Sequence, residues 1–316
     1  MISQEQRWLL EEKYEGEETK NFHTDCARLD AGEPLAYVIG YVSFLECLIY
    51  LDHRPLIPRP ETEWWTEKAI ANIAAYQFSP KLPPIGIWSH RSSTNSHQPT
   101  VRGETSNQVT VLDLCAGSGA IGIAVAKHIP QVAVDFCEID PLLVTTIERN
   151  IAANLTARPT TSPPHPSSRS RLELGSLSDS QTIRLQQHRV IEADLFSPAQ
   201  DPSSRRDLKL GKPRLGRYDF ILTNPPYINP ALDRVQTSVK NFEPYIALYG
   251  GIAGMEIIDR IITGAPAHLT PKGQLWVEHE PEQVAAITAT AHANGFSITP
   301  QQDQYGVDRY SILVLE

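Results

Sequence analysis

Cysteine is scarce in this chain: four in 316 residues, Cys26, Cys47, Cys115 and Cys137, with no CxxC pair among them. That pattern excludes a zinc ribbon and a disulfide scaffold; apolar neighbours make these thiols reduced, small hydrophobic residues of an intracellular protein. The ten histidines form no HxH or HxxxH pair, so no metal is expected. No apolar run approaches the roughly 20 residues a membrane span needs. Positive charge is also short. Against 37 Asp and Glu there are 28 Lys and Arg, a net charge of -9, which does not favour direct nucleic-acid binding. The opening stretch, "MISQEQRWLLEEKYEGEETK", is acidic and helical, unlike a signal peptide or an Arg-rich transit peptide. A monomer in the cytoplasm or mitochondrion is the expectation.

What the chain does have is alternation. Residues 4 to 31 read as one or two short helices, a cap or arm of residues 1–32. "LAYVIGYVSFLECLIYLD" is rich in Val, Ile, Tyr and Phe and reads as a β-hairpin linker within 33–58. In "RPLIPRPETEWWTEKAIANIAAY", Pro60 can start a helix, with Glu61 and Glu63 in its first turn. From 59 to 316, short apolar strands alternate with helices: "VTVLDL", "VAVDFCEI", "RVIEADLF", "YDFILT" and "GQLWVEHE" are the strands. This is the signature of an α/β, Rossmann-like, mostly parallel sheet. "FSIT" and "RYSILVLE" have no helix between them and predict an antiparallel hairpin at one edge. Three stretches rich in Ser, Pro, Thr and Arg, near 79–108, 157–181 and 197–217, read as disordered surface insertions.

"VLDLCAGSGAIGIAVA" is a strand, a glycine turn and a helix. Gly117, Gly119 and Gly122 satisfy GxGxxG, and Glu138 follows about 20 residues on. The motif alone does not separate NAD from S-adenosylmethionine, since both need an acid for ribose hydroxyls. Two acids compete. Asp140 precedes Pro141 and a helix, an N-cap arrangement; Glu138 has no such duty and is assigned the ribose. Asp194, followed by Leu195 and Phe196, ends the next strand and suits an adenine amino group and ring.

The fourth strand, "YDFILT", stops at Asn224-Pro225-Pro226-Tyr227. Two prolines remove two donors and force an extended path. A nitrogen conjugated to a π-system is a poor nucleophile, and an enzyme must hold both its N–H groups in plane. The side-chain oxygen of Asn224 and the carbonyl of Pro225 can accept those hydrogens, and Pro226 helps pre-set the path. Tyr227 can stack on the flat group through its ring, leaving its hydroxyl dispensable. The NH2 of Asn224 is also expected to reach the cofactor.

The motif occurs in amino-methyltransferases, and the wider pattern resembles the HemK/PrmC family of release-factor glutamine methyltransferases. Matching segments are "GEPLAYVIG", "LIPRPETE", "LDLCAGSGAIGIA", "DFILTNPPYI", "NFEPYIALYGGIAGM", "LWVEHEPEQ" and "DQYGVDRYSILV". The resemblance implies methyl transfer from S-adenosylmethionine to the glutamine of the Gly-Gly-Gln loop of a peptide chain release factor. It places the cofactor on Cys115, Ala116, Gly117, Ser118, Gly119, Glu138, Asp194, Leu195 and Asn224, and the target amide on Asn224 to Tyr227. His279 in "VEHEP" is expected to be structural. The helical region ahead of residue 33 reads as shorter than the family's, and Cys115-Ala116 stands where Gly-Thr is common. An adenine amino-methyltransferase is the alternative enzyme, and a non-catalytic binding module retaining the fold is the reading from outside catalysis.

Overall fold

The computed structural model describes residues 2–77, 108–156, 187–198, 215–232 and 234–316. The three Ser/Pro-rich stretches fall outside them, except for residue 108 and the short ends at 197–198 and 215–217. Helices α1 (Gln4–Tyr14) and α2 (Lys20–Asp30) start at side-chain caps, Ser3 and Thr19. With α3 (Leu35–Ile39) they enclose a small core of Leu9, Phe22, Leu29 and Val38.

The helix α3 corrects the reading of "LAYVI" as the start of a hairpin. Pro34 precedes this single turn, and Gly40, at φ 100°, ends it by donating to the Ala36 carbonyl. Five residues are too few for helical periodicity to outweigh a β-rich composition. The hairpin itself is β1 (Tyr41–Phe44) and β2 (Cys47–Tyr50). Helix α4 (Pro60–Gln77) then begins at Pro60, with Glu61 and Glu63 in its first turn.

The central sheet is built from β3 (Thr110–Leu114), β4 (Ala133–Glu138), β5 (Arg189–Asp194), the two-residue β6 (Ser197–Pro198) and β7 (Tyr218–Thr223). Helices α5 (Ala120–His128) and α6 (Pro141–Leu155) make the first crossovers. Short helices α7 (Thr237–Phe242) and α8 (Tyr245–Leu248) follow β7, then α9 (Glu256–Gly264), β8 (Leu269–Glu278), α10 (Val284–Ala293), β9 (Phe296–Gln302) and β10 (Asp308–Leu315). Strand order is β6-β5-β4-β3-β7-β8-β10-β9. From β5 to β8 the strands are parallel; β10 pairs antiparallel with both β8 and β9.

Side chains alternate along β3: Val111 joins the core on one face of the sheet, and Leu112 and Leu114 join that on the other. Every residue of β7 is buried, as a central parallel strand covered on both faces requires. Helix α5 lies so close to β3 and β4 that a Cβ at Gly122 would come within 2.4 Å of the Phe136 ring. The hairpin is fastened by α6. Asn150 Oδ1 accepts the Tyr50 N–H at 2.9 Å, while its Nδ2 donates to the carbonyls of Tyr50 and Ser118. One turn on, Asn154 exchanges the same pair of bonds with Leu48.

Candidate active site

Between β3 and α5 the backbone enters the left-handed region three times in five residues, at Cys115 (φ 59°), Gly117 (φ 56°) and Gly119 (φ 79°). Glycine makes two of these turns without strain; a side chain there costs about 1–2 kcal/mol, which Cys115 bears. The loop is held by Glu138 at the end of β4. Glu138 Oε2 accepts the Gly117 N–H at 2.8 Å, and Oε1 accepts those of Ile139 and Asp140 at 2.9 and 3.0 Å. Burial still pushes the Glu138 carboxyl above its usual range, although these three donors oppose the shift. Asp140 accepts the Leu142 N–H at 2.8 Å and caps α6, with Pro141 behind it. Beneath the turn, Asp113 Oδ2 accepts the Gly122 N–H at 2.8 Å. Wholly buried and close to Glu138, its carboxyl is pushed up to about 8.

One cavity of about 290 Å³ is bordered by Cys115 to Ser118, Glu138, Asp194, Leu195, Asn224 and Pro226. Gly119 does not border it and instead stands at the head of α5. Arg260, on α9, does border it, and its Nη2 lies 2.9 Å from both oxygens of Asp194. Sequence reasoning gave Asp194 a ligand and no partner; only the fold brings α9 beside it. Tyr227 lies on a second cavity, of about 490 Å³, together with Arg59, Asn229, Val239 and Gln283. The tetrapeptide therefore stands between two cavities, Asn224 on one and Tyr227 on the other. Pro225 is buried between them in sequence.

The two ends of the tetrapeptide are tied to one carboxylate. Asn224 Nδ2 donates to Thr62 Oγ1 at 3.1 Å, and Thr62 Oγ1 donates to Glu278 Oε2 at 2.7 Å. The Trp65 indole N–H donates to the same oxygen at 2.6 Å, and the Tyr227 hydroxyl donates to Oε1 at 2.9 Å. Glu278, at the end of β8, is 1% exposed, and burial raises its pKa against these three donors. Asn224 Oδ1 is buried and has no hydrogen-bond partner among the described residues. The Asn224 NH2 thus meets Thr62, where the sequence reading sent it toward the cofactor, and the Tyr227 hydroxyl is engaged where the ring alone was expected to matter.

Other segments pack behind the loop. A Cβ on Gly254 would lie 1.9 Å from the Tyr227 carbonyl oxygen, and one on Gly250 would lie 2.4 Å from that of Pro226. Gln283 Nε2 donates to the Tyr227 carbonyl at 2.9 Å. The ring of His279 is buried against Ser311 Oγ at 2.8 Å and borders neither cavity. Thr62, Trp65 and Glu278 were unassigned in the sequence; the only signal was an acid closing the apolar run "LWVE".

The strand order, the glycine turn and the acid closing β4 together make a Rossmann-like α/β fold, and the proteins similar to this chain in sequence are methyltransferases. A family model described as the methyltransferase small domain matches residues 99–162. The chain is 29% identical over 283 residues to the release factor glutamine methyltransferase of Rhodopirellula baltica, covering 89% of this chain and 73% of that one. It is 27% identical over 251 residues to the ribosomal protein uL3 glutamine methyltransferase of Bradyrhizobium diazoefficiens, covering 79% and 59%. The N-terminal domain of human METTL16 superimposes with a TM-score of 0.46 at 12% identity, covering 84% of this chain and 75% of that one. Among methyltransferases, the chain is similar over 89–90% of its length to several named for release factor glutamine.

Proposed function

We propose that the protein transfers a methyl group from S-adenosylmethionine to the side-chain amide nitrogen of the glutamine in the Gly-Gly-Gln loop of a peptide chain release factor. The observation that carries this reading is Asn224 Oδ1, a buried acceptor with no partner among the described residues, on a residue that borders the crevice. Leaving such an atom unpaired costs about 1–3 kcal/mol, so the group that belongs there carries a hydrogen-bond donor. A primary amide brings two. Asn224 Oδ1 holds one N–H and the Pro225 carbonyl holds the other, which fixes the amide plane and orients the nitrogen.

The crevice residues fit the donor. Glu138 Oε2 accepts one backbone N–H and has a lone pair left for a ribose hydroxyl. Asp194 and Leu195 meet the adenine end. S-adenosylmethionine supplies an electrophilic methyl group, and the chain's own task is to align the amide nitrogen with it and to keep water away. Direct action on nucleic acid is disfavoured by the net charge of -9.

A single incubation tests the assignment. Labelled S-adenosylmethionine is offered with a release factor, ribosomal protein uL3 and bare DNA. Label on the release factor is expected, and it disappears when the glutamine of its Gly-Gly-Gln loop is replaced. Label on DNA alone, or on uL3 alone, overturns it.

A further inference from the structure

An asparagine amide has two orientations that exchange its oxygen and nitrogen, and only one leaves the acceptor of Asn224 free for a substrate donor. We propose that Thr62 and Glu278 are positioning residues that hold Asn224 in that orientation, an inference that rests on the methyl-transfer reading above. The direction of every bond in the chain follows from its far end. The Trp65 indole N–H can only donate, so Glu278 Oε2 must accept. Thr62 stands 2.7 Å from that same oxygen, and its single hydroxyl proton has to point there, because two lone pairs at that distance repel. Thr62 Oγ1 is then left with lone pairs only toward Asn224.

Asn224 meets this acceptor at 3.1 Å, so the NH2 faces Thr62 and Oδ1 is the end left without a partner, on a residue that borders the crevice. The flipped amide would set oxygen against oxygen and offer a donor to the target's NH2, which itself brings only donors. Thr66 does not compete, since its hydroxyl donates to the Thr62 carbonyl at 2.7 Å. The other oxygen of Glu278 receives the Tyr227 hydroxyl at 2.9 Å, so one carboxylate sets both ends of the tetrapeptide. Helix α4 and strand β8 are separate elements, and residues 216 positions apart complete the relay.

The test compares Thr62→Val, which keeps the shape and removes the hydroxyl, with Thr62→Ser, which restores it. Methyl transfer to a release factor is followed with kcat and KM resolved, S-adenosylmethionine affinity is taken by calorimetry, and exchange of the Asn224 side-chain NH2 protons is followed by NMR. The valine variant is expected to lose about tenfold or more in kcat, with KM and cofactor affinity within about threefold. The serine variant is expected to return to within about threefold of the native rate. Exchange at the Asn224 NH2 should accelerate in the valine variant and not in the serine one. A valine variant within twofold of native kcat, or a serine variant as slow as the valine one, overturns the relay. Thr62→Ala, read the same way, stands in if the valine variant does not fold. Should the native protein methylate no Gly-Gly-Gln substrate, the functional reading falls and the exchange measurement alone decides the relay.

Discussion

Arg59 closes on Glu243 across 184 residues of sequence, its Nη2 lying 2.6 Å from Oε1 of a side chain that is 1% exposed. The second oxygen of Glu243 accepts the Ile57 N–H at 3.2 Å. The segment after the tetrapeptide is thereby pinned to the one that opens α4. Arg59→Ala strands a buried charge and should destabilise the fold by about 3 kcal/mol, the low end for such a loss because 31% of the Arg59 side chain stays exposed. Urea unfolding measures this. Release-factor KM should rise as well, since Arg59 borders the Tyr227 cavity.

Glu138→Ala should weaken S-adenosylmethionine binding by about 1.5–3 kcal/mol, the range for a hydrogen bond to a charged group. The variant also frees the N–H groups of Gly117, Ile139 and Asp140, so the turn itself should loosen. Calorimetry showing native affinity would move the ribose role to Asp140.

Asn224→Ala removes the acceptor from the edge of the crevice and should cost about 10²-fold or more in kcat, while cofactor affinity falls far less. Single-turnover kinetics with a release factor separate the two effects. A near-native rate would make the tetrapeptide a structural turn.

Tyr227→Phe is no longer a mild change. It leaves Glu278 Oε1 without its donor in a buried site, which should lower stability by about 1–3 kcal/mol. Urea unfolding of the phenylalanine variant reads this directly, and native stability would show that Glu278 re-pairs elsewhere.

Asp113 gives the protein a pH dependence. Its folded-state pKa of about 8 stands above the ordinary 3.8, so the native chain keeps a proton that the unfolded chain releases. Stability from this group is full below about pH 4 and declines as pH rises through the interval up to about 8. Asp113→Asn keeps an acceptor for the Gly122 N–H and has no proton to lose. Thermal midpoints between pH 5 and 9 should therefore fall less steeply in the variant than in the native protein.

The parallel sheet and its edge hairpin were legible because central strands such as "YDFILT" are apolar runs that end in turn residues. Local chemistry also reached the Asp140 cap and the glycine turn, each contained within a few residues. It did not reach Thr62 and Glu278, whose contact spans 216 positions, nor the pairing of Arg260 with Asp194 across 66. No local pattern encodes which two side chains a sheet will bring together. The placement of Tyr227 on a cavity separate from that of Asn224 was hidden for a different reason: two prolines define a path without defining which way its ends face.

Asn150 divides its side-chain NH2 between the carbonyl of Tyr50 in the hairpin and that of Ser118 in the glycine turn. A single amide therefore rivets the outer hairpin to the floor of the crevice. The two are separated in sequence by α4 and β3, yet their spacing is set by the reach of one side chain. Whatever pushes on the hairpin from outside is felt at the turn, and whatever fills the turn braces the hairpin.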